Sequence, residues 1–310
     1  MRNVEKPPLS PYLVLLIGIL AVSMSSIFIR FAQREASSLV IAAYRLALAT
    51  LLILPVAFTR YRHELRQLRG RDLLWMGLSG IFLAFHFVTW ITSLEYTTVA
   101  SSVVLVSLSP AFVAIAAPVF LREAITSRVI LGIFIALAGS AVVGFSDACS
   151  WPPLRCTLEG DGRLPIVGNL LALIGAIMVA GYFMIGRQVR SRFSLPVYIS
   201  LVYGSAALVC LLIVAGSGLP ILGYPPQTYF WMSLIAIFPQ FIGHSSFNWA
   251  LRYLPAAVVT VTTLGEPIGS TILAYVILRE APPWIKILGG GLILTGIAIV
   301  SQEKAGRTKA

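Results

Sequence analysis

Long apolar runs separated by short polar connections make up almost the whole chain. A helix needs about 20 predominantly apolar residues to cross the hydrocarbon core of a bilayer. Runs of this length predict ten membrane-spanning helices, over residues 12–31, 38–58, 73–91, 98–120, 129–145, 166–186, 196–214, 228–251, 256–278 and 285–301. We therefore expect an all-α polytopic membrane protein with short connections on both sides.

The composition agrees with this pattern and excludes a water-soluble fold. The 310 residues are 58% hydrophobic and 11% charged, whereas soluble domains carry about 25% charged residues. The mean hydropathy is +0.89. No polar stretch is long enough to wrap a hydrophobic core of its own, so no separate soluble domain is expected.

The basic residues lie in the connections and give the chain a formal net charge of +11. We call the side of the N-terminus side A and the opposite side of the membrane side B. Sixteen Lys and Arg residues fall on side A and six on side B, while Arg45 lies inside a span. The positive-inside rule then predicts that both termini are cytoplasmic. The sequence lacks the basic stripe with interleaved aromatics that nucleic-acid binding requires, so no nucleic-acid partner is expected.

An internal repeat relates the two halves of the chain. Residues 94–144 align without a gap to residues 251–301 at a shift of 157, with 19 of 51 positions identical. We therefore divide the chain into a first five-helix unit at 12–145, a non-cytoplasmic linker at 146–165 and a second five-helix unit at 166–301. Because five is odd, the second unit would enter the membrane from the opposite side, which predicts an inverted repeat.

Several motifs recur in the same order in both units. The sequence Leu121-Arg122-Glu123-Ala124 falls on Leu278-Arg279-Glu280-Ala281, and Leu94, Tyr96, Pro110, Gly132 and Gly139 fall on Leu251, Tyr253, Pro267, Gly289 and Gly296. In this arrangement the chain resembles the drug/metabolite transporter superfamily, specifically its EamA-type carriers with two tandem five-helix units. The resemblance implies ten helices, a central cavity, no cofactor and transport of small metabolites, often export. Substrates of such carriers include amino acids, nucleotide-linked compounds and cationic drugs.

Two charged residues lie inside predicted spans. Ionisable side chains in a span usually face the protein interior or water and often serve function. Glu266 precedes Pro267, while the first unit has Ser109 at the equivalent position. We expect Glu266 to bind a cationic group or carry a proton; the alternative is a structural ion pair with Arg45. An amino-acid zwitterion would suit both charges if they line one cavity.

Polar stripes mark the third and eighth spans. His86 and Trp90 share one helix face, and His244 and Asn248 share another. We expect these residues, with Tyr203 inside the seventh span, to line a substrate cavity; the alternative is hydrogen bonding between helices. The residues lack the short-range spacing of metal ligands, so no metal site is expected.

Prolines, glycines and cysteines suggest further features. Pro110 and Pro267, predicted at mid-span, would be hinges or plain structural kinks. Gly132 and Gly139, with Gly289 and Gly296, predict close helix packing. Cys149 and Cys156 lie within the linker on side B, where disulfides persist, so we expect a disulfide, with two free thiols as the alternative.

The leading hypothesis is a secondary transporter of the bacterial inner membrane that exports amino acids or similar metabolites by alternating access. The first alternative is multidrug or organic-cation efflux, and more distant ones are a lipid-modifying enzyme or a non-transporting receptor. The chain carries no phosphate-binding loop, nucleophile elbow or His-Glu-x-x-His motif, so no enzyme is expected. Expected partners are a small-molecule substrate and membrane lipid; proton coupling and a monomer or homodimer stay open.

Overall fold

The computed structural model describes residues 7–121, 127–150, 155–156, 164–254 and 256–307. These residues are almost entirely helical, as the apolar runs predicted. The helices are α1 Pro11–Ser23, α2 Ser25–Ala32, α3 Ser38–Arg60, α4 Arg62–Arg66, α5 Gly70–Tyr96, α6 Val99–Val106, α7 Ser109–Leu121, α8 Ser127–Ala148, α9 Pro165–Arg190, α10 Leu195–Gly216, α11 Pro226–Ile235, α12 Ser245–Ala250, α13 Ala256–Thr262, α14 Gly265–Leu273 and α15 Trp284–Arg307. Two π-helical segments, Ala236–His244 and Ala274–Leu278, continue α11 and α14.

Seven helical stretches within the described residues are long and apolar enough to cross a membrane. They are Pro11–Ala32, Ser38–Arg60, Gly70–Tyr96, Val99–Ala116, Pro165–Arg190, Leu195–Gly216 and Val258–Leu278, and shorter apolar helices cover Ile130–Gly139 and Trp284–Gly296. Large apolar side chains such as Leu20, Leu74 and Phe134 are more than half exposed on the outside. Lipid is the solvent that suits such a surface, so the chain is a multi-pass membrane protein.

The fourth and ninth predicted spans are broken helices. α6 ends at Val106 and α7 begins at Ser109, while α13 ends at Thr262 and α14 begins at Gly265. The prediction of Pro110 and Pro267 inside continuous helices is therefore corrected, because each proline lies in the first turn of a new helix. At that position proline costs no helix hydrogen bond. The two breaks fall at equivalent places under the repeat.

The long helices α8 and α15 pack at their glycines. A Cβ built on Gly139 would lie 2.6 Å from the Gly289 carbonyl oxygen and 2.8 Å from the backbone nitrogen of Ile293. A Cβ on Gly296 would collide with the Gly132 carbonyl oxygen. As the residue number falls from 139 to 132 along α8, its partner on α15 rises from 289 to 296, so the two helices run antiparallel.

A second pair of glycine contacts is also related by the repeat, and the two units exchange roles between the two contacts. A Cβ on Gly18 in α1 would meet the Phe247 ring at 2.8 Å and the Ser246 Cβ at 3.0 Å, both in α12. A Cβ on Gly175 in α9 would meet Thr89 and Trp90 of α5 at 3.3 Å. The shift of 157 turns each set of partners into the other. Each unit therefore contacts the other with the same surfaces.

Substitution of Gly296 by alanine is expected to destabilise the protein, because the new Cβ would overlap backbone atoms of α8. Overpacking of this kind costs about 1–3 kcal/mol. Thermal unfolding in detergent measures the change. Gly291→Ala on the same helix is the matched control, because a Cβ there would meet nothing within 4 Å. Equal unfolding temperatures for the two variants would contradict the close packing of α8 and α15.

The only strands among the described residues form a small hairpin after α8. Cys149–Ser150 pairs antiparallel with Arg155–Cys156, and the register sets Cys149 opposite Cys156. Opposed residues in an antiparallel pair have Cα atoms about 4.5–5.5 Å apart, within the range that a disulfide spans. The backbone register is therefore compatible with the predicted disulfide.

The third cysteine, Cys210, is a buried free thiol in α10. Alkylation of the denatured protein without reductant is expected to modify Cys210 alone, and alkylation after reduction all three cysteines. Mass spectrometry counts the added groups. Three modified cysteines without reductant would mean that Cys149 and Cys156 are free thiols.

Candidate functional site

A cavity lies where the two broken helices meet α3, α5, α9 and the helix formed by α11 and α12. Both breaks contribute to its wall. Its lining residues are Arg45, His86, Trp90, Val106, Ser107, Ser109, Val179, Phe183, His244, Phe247, Thr263 and Glu266. Five of the seven residues predicted to bind substrate are among them: Arg45, His86, Trp90, His244 and Glu266.

Arg45 is the buried cation of this cavity and is 1% exposed. Its Nε donates to Gln240 Oε1 at 2.7 Å, and its Nη1 donates to Ser25 Oγ at 2.9 Å. The guanidinium carbon lies 3.8 Å from the centroid of the Phe87 ring, an attractive cation–π geometry. Its Nη2 makes no hydrogen bond to a described residue. The guanidinium is thus oriented by three neighbours while retaining donor capacity.

Glu266 is the acidic residue of the lining and lies in the first turn of α14. None of its carboxylate oxygens comes within 4.0 Å of an Arg45 nitrogen, since the ion pairs among the described residues are Arg30–Glu280 and Arg192–Asp72. The structural ion pair considered as an alternative is therefore not formed. Opposite charges line the same cavity without neutralising each other directly.

His86, His244 and Trp90 also line the cavity, and each carries at least one polar ring nitrogen. His86 Nδ1 donates to the Gly175 carbonyl oxygen at 2.9 Å, and the His86 ring is parallel to that of Trp90 at 6.0 Å. The His86 and His244 ring centroids are 6.3 Å apart. Buried polar groups almost always have partners, yet Trp90 Nε1 and His244 Nδ1 have none among the described residues. Both atoms are therefore available to a polar ligand.

The other two predicted substrate-binding residues, Tyr203 and Asn248, are buried outside the lining. The Asn248 amide Nδ2 donates to the Tyr182 hydroxyl and to the His244 carbonyl oxygen, the latter at 2.8 Å. The Tyr203 hydroxyl lies 3.2 Å from Ser245 Oγ. The Asn248–Tyr182 and Tyr203–Ser245 contacts correspond to the alternative considered for the polar stripes, interhelical hydrogen bonding. They fix α10 and α12 behind the cavity wall.

Gln240 lies four residues before His244 and so belongs to the polar face of the predicted eighth span, but its contact with Arg45 was not predicted. It is fully buried, and it lies in the π-helical segment Ala236–His244, which also contains Pro239. π-Helical segments shift the face that side chains present and occur frequently at functional sites. A proline inside an apolar helix is the available sequence signal for such an irregularity.

Among the described residues, no three His, Cys, Asp or Glu side chains form a metal site.

An all-helical, multi-pass scaffold around a cavity with unpaired polar groups is typical of membrane transporters. The model of the EamA-like transporter family matches residues 9–145 and 166–302, and the chain belongs to this family. The family model thus matches twice, once over each repeat unit. Membership in a transporter family points away from an enzyme.

Relatives and a solved structure agree with the family. A protein of Archaeoglobus fulgidus named an uncharacterized transporter is 24% identical over 94% of this chain and 98% of its own length. A protein of Streptantibioticus cattleyicolor named a "Probable terminal-alkyne amino-acid exporter" is 25% identical over 79% of this chain and 78% of its own length. One crystal structure matches with a TM-score of 0.67 at 17% identity, covering 97% of this chain and 99% of that chain. This last likeness concerns the fold.

Replacing Gln240 by leucine is expected to destabilise the protein, because Arg45 Nε would be left buried without an acceptor. Leaving a buried donor unsatisfied costs about 1–3 kcal/mol, and more for a charged group. Gln240→Glu keeps the acceptor and should unfold close to the wild-type temperature. Thermal unfolding in detergent compares the variants, with the exposed Gln188→Leu as control. A stable Gln240→Leu would mean that Arg45 does not depend on this contact.

Proposed function

We propose that this protein is a secondary transporter that exports an amino acid or a similar small zwitterion by alternating access. The observation that carries the proposal is that Arg45 and Glu266 line one cavity without pairing with each other. Burying two unpaired charges is costly unless a ligand or water completes the site. A zwitterion supplies a carboxylate for one charge and an ammonium for the other.

Other groups of the cavity lining also suit a carboxylate. The Trp90 indole has a buried N–H without a partner among the described residues. Ser107 and Ser109 line the cavity at the break before α7, a helix of 13 residues. The N-terminus of a helix attracts anions, and broken membrane helices commonly present such ends to substrates. Glu266 remains as the partner for the ammonium.

The proposed architecture is ten spans in two inverted units with both termini cytoplasmic. Its support is the exchange of glycine contacts, in which Gly139 faces Gly289 while Gly296 faces Gly132. A two-fold axis produces this reciprocal pattern, and the antiparallel direction of α8 and α15 requires an axis in the membrane plane. The excess of basic residues on side A supports the cytoplasmic assignment, and the proposed membrane is the bacterial inner membrane.

Broken helices also suit alternating access. The breaks at 107–108 and 263–264 fall beside the cavity in both units. Each break lets one half of a helix move while the other half stays packed, and the prolines at the start of α7 and α14 keep the halves from joining into one helix. In this reading Pro110 and Pro267 act as hinges.

Organic-cation efflux is the second candidate, and the aromatic lining supports it. Trp90, Phe183 and Phe247 border the cavity together with Glu266. Aromatic faces and a carboxylate bind a quaternary ammonium well. Such a substrate would have no use for Arg45. The relative named as an amino-acid exporter favours the first candidate.

Counterflow in proteoliposomes tests the proposal. Vesicles preloaded with an unlabelled amino-acid mixture are expected to accumulate labelled amino acids when they contain the wild-type protein. Glu266→Gln should lower the initial rate by about tenfold or more, since a lost charged contact costs about 1.5–3 kcal/mol. Glu35→Gln, at an exposed position, is the control and should exchange normally.

The remaining outcomes divide the hypotheses. Normal exchange by Glu266→Gln would keep the carrier and remove Glu266 from the substrate path. Absence of amino-acid exchange, with labelled tetraphenylphosphonium accumulating instead, would favour organic-cation efflux. Product formation from a lipid in detergent, where no barrier exists, would indicate an enzyme.

A further inference from the structure

A compact polar cluster joins several helix ends on side B, away from the cavity. Arg30 Nη2 lies 3.1 Å from Glu280 Oε1 and donates to the Thr97 carbonyl oxygen at 2.9 Å. Glu280 Oε2 accepts from the Val99 backbone N–H at 3.0 Å. Lys286 Nζ donates to Thr98 Oγ1 at 2.9 Å. We call these residues the side B cluster.

The cluster links the two repeat units to each other. Arg30 lies in the last turn of α2, and Thr97 and Thr98 connect α5 to α6, which begins at Val99; all are in the first unit. Glu280 and Lys286 belong to the second unit, 250 and 188 residues away from their respective partners. Through a single carboxylate, Glu280 holds both the end of α2 and the start of α6. Loss of this side chain would free both from the second unit at once.

Local backbone structure fixes the position of Glu280. Arg279 adopts the left-handed conformation at φ 60°, and it is the residue other than glycine with positive φ among the described residues. The Glu280 N–H then bonds to the Ala274 carbonyl oxygen at 3.2 Å, which closes the preceding helix in a Schellman-type end. The carboxylate can accept at the N-terminus of α6, where an anion is favoured by the helix dipole. The backbone structure at these two helix ends therefore sets the position of the Glu280 carboxylate.

Among the described residues, the contacts on the opposite side differ from those of the side B cluster. At the shift of 157, Arg30 corresponds to Arg187, which donates to the Leu251 carbonyl oxygen at 2.6 Å. Arg187 makes no ion pair with a described residue. The other ion pair among them, Arg192–Asp72, has its arginine side chain 55% exposed, against 13% for Arg30. Of the two ion pairs among the described residues, the one on side B therefore has the more buried arginine.

From these contacts between the two units we infer that the side B cluster is a latch that keeps the cavity closed toward side B and must open before the cavity can face that side. A latch has a function only in a transport cycle, so this inference rests on the proposed function. Alternating access needs two conformations that are separated by a modest free energy, and each set of contacts made in only one of them shifts the balance. Arg30, Glu280 and the Val99 N–H form such a set.

Thiol labelling tests the latch without any substrate. The probe is Ser109→Cys, in the cavity wall, in a protein whose three native cysteines are replaced by alanine. A membrane-impermeant charged maleimide is added to right-side-out or to inverted vesicles. In Glu280→Gln, labelling from side B is expected to rise roughly fivefold or more, because the open population grows as the closed-state contacts weaken.

Matched variants separate the latch from a general loosening. Arg30→Gln should give the same increase, and the double variant Arg30→Gln with Glu280→Gln should add little to either, since both break one interaction. Arg192→Gln removes the other ion pair and should leave side B labelling at the wild-type rate. Size-exclusion chromatography and thermal unfolding in detergent verify that each variant is folded.

Three results would overturn the inference. They are an unchanged side B labelling rate in folded Glu280→Gln, an increase from side A instead, and an equal increase in Arg192→Gln. Because labelling needs no transported molecule, these outcomes are independent of the amino-acid hypothesis. Failure of counterflow together with increased side B labelling would reject the substrate while retaining the latch.

Discussion

The site is organised around a guanidinium held at the centre of an apolar bundle. Removing such a group from water costs several kcal/mol unless hydrogen bonds and nearby charges compensate. Gln240, Ser25 and the face of Phe87 provide much of that compensation for Arg45. Gln240 lies in a π-helical segment. The acceptor for the buried guanidinium is therefore supplied by an irregular part of the helix. The carboxyl group of Glu266 lines the same cavity but forms no ion pair with Arg45, and the proposed zwitterion would contact both groups.

An asymmetric site lies within a scaffold whose packing is symmetric. Under the repeat, Arg45 corresponds to Val202, Gln240 to Leu83 and Glu266 to Ser109. The charged groups therefore occur once, while the glycine contacts between α8 and α15 occur twice with their roles exchanged. In the proposed transport cycle, the symmetric packing would allow two related conformations, and the single set of charged groups would form one binding site used in both.

The sequence predicted the elements of this protein better than their interactions. Apolar runs of membrane length indicated the helices, and the rarity of charge inside them singled out Arg45 and Glu266. The partner of Arg45 could not be predicted, because the approach of Gln240 depends on a local change of helix type. The breaks beside Pro110 and Pro267 were predicted as kinks, since a proline signals irregularity without telling whether the helix ends. Tyr203 was expected in the cavity, but periodicity cannot tell which buried face meets the empty space.

The reciprocal glycine contacts also bear on ancestry. A surface that fits its own inverted copy does not require a covalent link between the two copies. A single five-helix chain with these glycines could have formed a dimer with its subunits in opposite orientations, from which gene fusion then produced one chain. Fusion would have fixed one orientation for each half. Only then could one half acquire an arginine and the other a carboxylate without duplicating either, which is the division of labour seen in Arg45 and Glu266.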